Sequence, residues 1–366
     1  MTTVILKPTD GCNARCRYCS AAHPGASRCM TRATLRRVFK LFADWSEACG
    51  RRDITFIWHG GEPLLMPGRF WEEVFAGQDD LIRGRGLRVE NRIQTNATRI
   101  RRDTLPLLKR LLGPHGTVGT SADPLVGIRE LKGAPDGRYR AVLEESMGLL
   151  REAGIRYGIV MVVHRLSLPH LAGIYREFRE RHPDSGLRFN PLYRQGRAEG
   201  EEVWEDLGIS AIEWGRALTE LYSAWDRDGR PASVQPFSPW QRLHDGGGWR
   251  LSCEGSGTCA ANHFGVDPNG AVFLCGRSAD GQAFRFGSVT DLTAAALQSH
   301  PVRRLLDNRR TFLKRTACLG CPWWQYCHGG CPNDAVLGGG SAFAPTTFCA
   351  GLRNFFDQAF GAGGGH

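Results

Sequence analysis

With 366 residues, 42% of them hydrophobic, the chain is long enough for one large core with an appended module or for two ordinary domains, which speaks against disorder. Thirteen cysteines at short spacings in a chain of this size argue against a small disulfide-stapled scaffold and for metal or redox chemistry in a reducing compartment. The formal charge of +10 comes from arginines scattered along segments such as Arg99–Arg102 and Arg303–Arg315. They read as solvated helix faces and are not interleaved with aromatics as in nucleic-acid recognition modules. Met1–Thr9 lacks a signal-peptide pattern and no apolar run nears the ~20 residues that cross a bilayer. The expectation is a cytoplasmic protein with neither membrane nor nucleic acid as partner.

In chain order, short β-branched runs alternate with amphipathic stretches from Val4 to about Tyr193, the pattern of parallel strands joined by helices. The runs predict strands at Thr3–Lys7, Asp53–Trp58, Leu87–Gln94, Thr117–Ser121, Arg156–Val163 and Leu187–Leu192. Helices are predicted at Arg32–Ala48, Arg69–Leu81, Arg101–Leu112, Arg138–Ala153 and Leu168–Arg181. Six βα units fall short of the eight of a closed TIM barrel, so residues 1–195 are expected to form a partial barrel whose reactive face lies in the loops after the strands. A bridging region, 196–252, carries a predicted helix at Ala211–Asp228 and a Gly/Pro/Trp-rich stretch from Gly229 to Trp249. Trp204, Trp214, Trp225, Trp240 and Trp249 there either pack two modules together or line a peptide groove; packing is the commoner use. From Cys253 to residue 366 cysteines replace aliphatic periodicity, and the tail Gly361–His366 reads as disordered.

Directly after the first strand comes Cys12-Asn13-Ala14-Arg15-Cys16-Arg17-Tyr18-Cys19, three thiols on one loop. Alone, the triad reads either as a zinc knuckle or buried cysteines, or as three ligands that leave one iron of a four-iron cluster open for a chelating cofactor. Gly60-Gly61-Glu62-Pro63 follows the second strand, Gln94-Thr95-Asn96 ends the third, and Ser121-Ala122-Asp123 ends the fourth. In this register the sequence resembles the radical S-adenosylmethionine (radical SAM) superfamily. The resemblance implies that Cys12, Cys16 and Cys19 hold a [4Fe–4S] cluster completed by S-adenosylmethionine. It also implies cofactor contacts from Tyr18, Gly60, Gly61, Glu62, Pro63 and Asn96, with Ser121 and Asp123 on the ribose and Leu192 near the adenine. Lys132 stands where relatives often carry an arginine toward the cofactor carboxylate; it keeps the charge but not the bidentate fork.

The remaining clustered thiols are Cys253, Cys259, Cys275, Cys318, Cys321, Cys327, Cys331 and Cys349, and Asn269-Gly270 reads as a tight hairpin that brings Cys259 and Cys275 together. The block Cys318–Cys331 alone would also suit a zinc ribbon. The whole spacing resembles the SPASM domain, which makes the implied fold α/β: a partial (βα)6 TIM-type barrel, then a small cysteine-rich domain, residues 253–366, with two auxiliary iron–sulfur clusters. In fully ligated relatives one cluster takes the equivalents of Cys253, Cys259, Cys275 and Cys331, the other those of Cys318, Cys321, Cys327 and Cys349. The implied cofactors are therefore three [4Fe–4S] clusters and S-adenosylmethionine. Cys29 and Cys49, outside every motif, read as small buried hydrophobes.

Complete ligation of both auxiliary clusters implies electron withdrawal from a substrate radical, hence net oxidation of a peptide or protein, with a flavodoxin or ferredoxin as electron partner. Two branches resemble the chain: maturases that cross-link ribosomally made peptides through C–C or thioether bonds, and anaerobic sulfatase-maturating enzymes that oxidise Cys or Ser to formylglycine. In the second branch an aspartate follows the third SPASM cysteine as base, whereas Gly276 follows Cys275 here; Asp280 is the substitute within reach, against its ordinary reading as a solvated turn residue. His59 before the glycines also suits the cross-linking branch. The expectation is therefore oxidative peptide cross-linking, with sulfatase maturation as the alternative and a non-catalytic iron–sulfur module as a third reading.

Overall fold

The computed structural model describes residues 1–22, 27–231, 233–247 and 251–361. Six strands, β1 (Thr2–Leu6), β2 (Asp53–Trp58), β3 (Arg88–Thr95), β4 (Thr117–Ser121), β5 (Arg156–Val163) and β6 (Gly186–Pro191), pair in parallel in that order. The registers set Leu6 opposite Trp58, Trp58 opposite Ile93 and Ile93 opposite Val118, so one face of every strand is buried against helices. The other face, which includes Ile5, Ile57, Gln94, Ser121, Val160 and Asn190, is only half-buried and lines the barrel interior.

The helices follow the apolar periodicity. Arg32–Ala48 starts where Thr31 accepts a hydrogen bond from the Thr34 amide and buries Leu35, Val38, Phe39, Phe42 and Trp45 at helical spacing. Two starts shift by a full turn of helix or nearly so. The helix predicted from Arg101 begins at Leu105, because the Thr104 hydroxyl bonds the Arg101 carbonyl and amide in a local turn and Pro106 sits in the first helical turn. The helix predicted from Leu168 begins at Leu171, after a tight 3₁₀ segment, Arg165–His170, that contains Pro169.

The C-terminal segment is built onto the same sheet. His263–Val266 pairs in parallel with β1, Thr3 opposite His263, then turns through Asn269-Gly270 into Ala271–Phe273, which pairs antiparallel with Arg285–Ser288. Asp267 holds that turn by accepting from the Asn269 and Ala271 amides at 3.0 and 2.8 Å. Val234–Gln235 extends the opposite edge beside β6. Trp214, Trp225 and Trp240 are buried, the last donating its indole N–H to the Tyr326 carbonyl at 3.1 Å, and Trp204 is half-buried; Trp249 and residues 362–366 of the predicted disordered tail lie outside the described residues. No described helix is long and apolar enough to cross a membrane.

Helix Cys349–Phe360, which begins at a clustered cysteine, crosses helix Ala211–Arg227 in backbone contact: a Cβ on Gly215 would stand 2.5 Å from the Gly351 carbonyl oxygen, and one on Gly351 would overlap the Ala211 carbonyl. Gly351→Val is therefore expected to cost ~1–3 kcal/mol by overpacking. Urea unfolding should show a lower midpoint at an unchanged slope; an unchanged midpoint would mean that the crossing yields freely.

Candidate active site and cysteine clusters

Cys12, Cys16 and Cys19 lie on the loop after β1, and residues Ala14–Cys16 pair antiparallel with Arg129–Leu131. The Cys12 sulfur accepts from the Ala14 amide at 3.4 Å and from the Asn96 side-chain amide at 3.6 Å. Burial pushes all three thiols up, opposed at Cys16 and Cys19 by the charges of Arg129 and Arg197.

The glycine pair has a steric reason. The Gly61 amide donates to the Thr9 carbonyl at 2.9 Å and the Glu62 amide to the Gly11 carbonyl at 2.8 Å, which laces this loop to the cysteine loop. Gly60 is at φ +120, a Cβ there would meet the Thr9 oxygen at 2.6 Å, and a Cβ on Gly61 would overlap the Gly11 carbonyl. Glu62 is fully buried ahead of the turn Pro63–Leu65; its carboxylate accepts from the Leu64 amide at 2.9 Å, the Thr95 hydroxyl at 2.7 Å and the Asn96 amide at 2.8 Å. Burial raises its pKa while those donors pull it back.

Beyond β4, Asp123 is buried with one oxygen 2.9 Å from His164 Nε2 and 3.3 Å from the Tyr18 hydroxyl. Ser121 accepts from Gln94 at 3.2 Å, and the Asn96 side chain bridges to Asn13 at 3.0 Å. Leu192 is buried beside Tyr18, with its amide on the Val163 carbonyl at 2.9 Å. Lys132 is exposed; the cation turned toward the site in that segment is the half-buried Arg129, beside Cys16, Tyr18 and Tyr139. His164 and Arg129 are the participants missed above. His164 directly follows β5, where the rule that reactive residues follow barrel strands points, whereas nothing in the sequence separates Arg129 from the surface arginines.

The C-terminal thiols form two groups. Burial raises Cys259, reinforced by Cys331 and Cys275, and it raises Cys253, with Glu254, Cys259 and Cys331 contributing. Cys318, Cys321, Cys327 and Cys349 line one cavity of about 120 Å³; burial raises Cys318, Cys327 and Cys349, and the neighbouring thiols of the set add to it. All thirteen cysteines are unpaired. Among the described residues no group of three or more His, Cys, Asp or Glu side chains converges as the ligands of one metal ion would. The fit to clusters therefore rests on number and grouping: a triad with a cation beside it and two sets of four, mostly half-buried with Cys253 exposed, suit anionic iron–sulfur centres. Cys49 is half-buried, and Cys29 is exposed, contrary to its reading as a buried hydrophobe, because it lies on the surface loop that pairs with Thr9.

Asp280 is not a solvated turn residue. It ends the short helix Gly276–Asp280 with its side chain 4% exposed, in an ion pair with the buried Lys7 directly after β1 and 3.2 Å from the Ser20 hydroxyl. Burial pushes Lys7 down to about 8, against the charges of Asp10, Cys275 and Cys19. Gly276 and Asp280 are four residues apart on one helical turn, so the carboxylate missing at the first position returns on the same face one turn later. His59, alongside Lys7, is pushed down to about 4 by burial and by the Lys7 charge and stays neutral at physiological pH.

The family profile described as the Radical SAM superfamily matches residues 6–177, the stretch from the end of β1 through the cysteine loop to the helix after β5. With the site geometry above, this part of the chain is a radical SAM domain. Over 370 residues, 97% of this chain and 84% of the relative, it is 27% identical to the serine-type anaerobic sulfatase-maturating enzyme of Klebsiella aerogenes. Among solved structures, native anSMEcpe with bound AdoMet and Cp18Cys peptide superposes with a TM-score of 0.80 at 23% identity, covering 98% of this chain and 96% of that one. Streptococcus suis SuiB bound to precursor peptide SuiA gives 0.64 at 14% identity, covering 95% and 75%. Both likenesses carry the fold: a radical SAM barrel with a SPASM-type C-terminal domain. The expectation of peptide cross-linking is overturned by the full-length relatives, which are sulfatase maturases. The physical reason is that Gly276 was too narrow a criterion, since Asp280 brings a buried carboxylate back to the same helix.

Proposed function

We propose that the chain is an anaerobic sulfatase-maturating enzyme that oxidises a Ser or Cys side chain of a protein or peptide substrate to formylglycine. The observation that carries this reading is the similarity to serine-type sulfatase maturases along 97% of the chain. Cys12, Cys16 and Cys19 would hold the radical-generating [4Fe–4S] cluster. Cys253, Cys259, Cys275 and Cys331 would hold one auxiliary cluster, and Cys318, Cys321, Cys327 and Cys349 the other. When bound, clusters and S-adenosylmethionine supply a 5′-deoxyadenosyl radical that removes one hydrogen atom from the substrate Cβ and a route out for the remaining electron.

The chain's own residues do the rest. Glu62, locked by three donors, braces the β2 loop against β3, so that Gly60, Gly61 and Pro63 present backbone to the cofactor. Tyr18, Asn96, Ser121, Asp123, Leu192 and, from the surface, Lys132 complete the cofactor's surroundings, and His164 fixes the Asp123 carboxylate. An Asp280 oxygen takes the proton of the substrate hydroxyl or thiol, and the Lys7 ion pair holds that carboxylate in place. The clustered cysteine spacings support a reducing compartment, the cytoplasm, and the electron partner would be a flavodoxin or ferredoxin.

Anaerobic reconstitution should load about 12 irons per chain, three clusters of four. Saturation near four irons with stoichiometric zinc would remove the auxiliary clusters from this account. The activity itself is tested by incubating the loaded enzyme with S-adenosylmethionine, reductant and a Ser/Cys-x-Pro-x-Arg peptide, then probing for an aldehyde at the Ser or Cys.

A further inference from the structure

Between the two C-terminal thiol groups lies one side chain the mechanism does not use. Arg309, on helix Pro301–Arg315, is 4% exposed. Its Nε donates to the Ala342 carbonyl at 2.7 Å, and one terminal nitrogen donates to the carbonyls of Gly329 and Ala344, each at 3.0 Å. Gly329 belongs to the linker between Cys327, of one set, and Cys331, of the other; Ala342 and Ala344 belong to the segment that leads to Cys349. The linker turns around the guanidinium with Gly329 and Gly330 both at positive φ, and a Cβ on Gly329 would stand 3.7 Å from an Arg309 terminal nitrogen.

All three hydrogen-bond acceptors are neutral carbonyls, and among the described residues no carboxylate pairs with Arg309. A buried guanidinium cannot shed its proton and is costly without a counter-charge. Cys259 lines the same cleft as Arg309, and Cys331, Cys318 and Cys327 lie within electrostatic reach of it, so the charges that would oppose the guanidinium are those of the cluster thiolates. Asp307, on the same helix, lies two residues away.

We propose that Arg309 is a positioning residue for electron exit, a single buried cation shared by both auxiliary clusters that raises the reduction potential of each. A fixed positive charge in a low-dielectric site stabilises the more negative, reduced form of any centre beside it. Because one charge faces both sets, the two potentials move together, and each can accept the electron left on the substrate radical. This rests on the assignment of the eight thiols to two clusters.

The test uses the full chain with Cys12, Cys16 and Cys19 replaced by Ala, so that only auxiliary clusters contribute to iron content and to EPR-monitored redox titration. That parent should hold about eight irons; fewer than two clusters there would defeat the two-cluster reading itself, before Arg309 is touched. In Arg309→Gln, with iron content unchanged, both clusters should become harder to reduce by about tenfold each, ~59 mV for a one-electron step. Arg309→Lys should restore both potentials. If Gln does not hold both clusters, Arg309→Met, which fills the site with no buried polar group, should show the same paired shift. In the otherwise unaltered enzyme, Arg309→Gln should give less aldehyde per 5′-deoxyadenosine formed. Unmoved potentials in Gln or Met, movement of one cluster alone, or a Lys variant shifted as far as Gln would overturn the proposal.

Discussion

Asp280→Asn is expected to separate radical formation from product formation: 5′-deoxyadenosine still appears, while aldehyde falls by about 10²–10⁴-fold, the range lost with a general base. Asp280 is held at the barrel mouth by Lys7 and Ser20, one residue beyond Cys19, on the helix that follows Cys275. It thus stands between the loop of the radical site and the first auxiliary set. Asn keeps the shape and removes the proton acceptor. It also leaves the Lys7 ammonium buried without its carboxylate, which costs roughly 3–5 kcal/mol when one partner of a buried pair is deleted. The double variant Lys7→Met with Asp280→Asn removes both charges and should recover the stability without recovering the aldehyde. Normal aldehyde yield in either variant, or parallel loss of aldehyde and 5′-deoxyadenosine, would assign the base elsewhere.

Gly61→Ala should slow cofactor cleavage by about 10²-fold rather than break the coupling. The added Cβ overlaps the Gly11 carbonyl, and both loops are backbone, so neither has a flexible side chain to move aside. The two hydrogen bonds that lace them, Gly61 to Thr9 and Glu62 to Gly11, must lengthen, and Cys12 shifts with Gly11. A displacement near 1 Å of a positioned reactive group costs about 10²-fold in rate. The measurement is 5′-deoxyadenosine formed per reconstituted cluster without substrate. A rate near wild type would show that the loops are not coupled through this contact.

What the sequence made legible followed from local pattern. Asp53–Trp58, Thr117–Ser121 and Arg156–Val163 occur at their predicted bounds, because alternation of buried and half-buried positions is written residue by residue. The Asn269-Gly270 hairpin was equally readable. Its docking in parallel on β1 was not, since a four-residue strand carries no mark of the edge it joins, and the cysteine-rich region is consequently more continuous with the barrel than a boundary drawn at Cys253 suggests. Helix starts shifted where turn chemistry at Thr104 and Pro169 overrode periodicity. In the site, the thiols and Gly60-Gly61-Glu62-Pro63 stood out by spacing. Asp280 did not: its meaning depends on a lysine 273 residues away, and only the fold turns a turn-like Ser-Ala-Asp-Gly into a buried ion pair. The same limit led from Gly276 to cross-linking, because the position after a cysteine is visible in sequence and the next turn of helix is not.

The central claim is oxidation at Cβ of a Ser or Cys side chain, and isotope transfer tests it most directly. The loaded enzyme is incubated anaerobically with S-adenosylmethionine, reductant and a Ser-x-Pro-x-Arg peptide whose serine carries deuterium at Cβ. The account predicts one deuterium in 5′-deoxyadenosine for each peptide that gains an aldehyde at that serine. Unlabelled 5′-deoxyadenosine with an unchanged peptide, or a peptide that loses two hydrogens without reacting with an aldehyde probe, would contradict it.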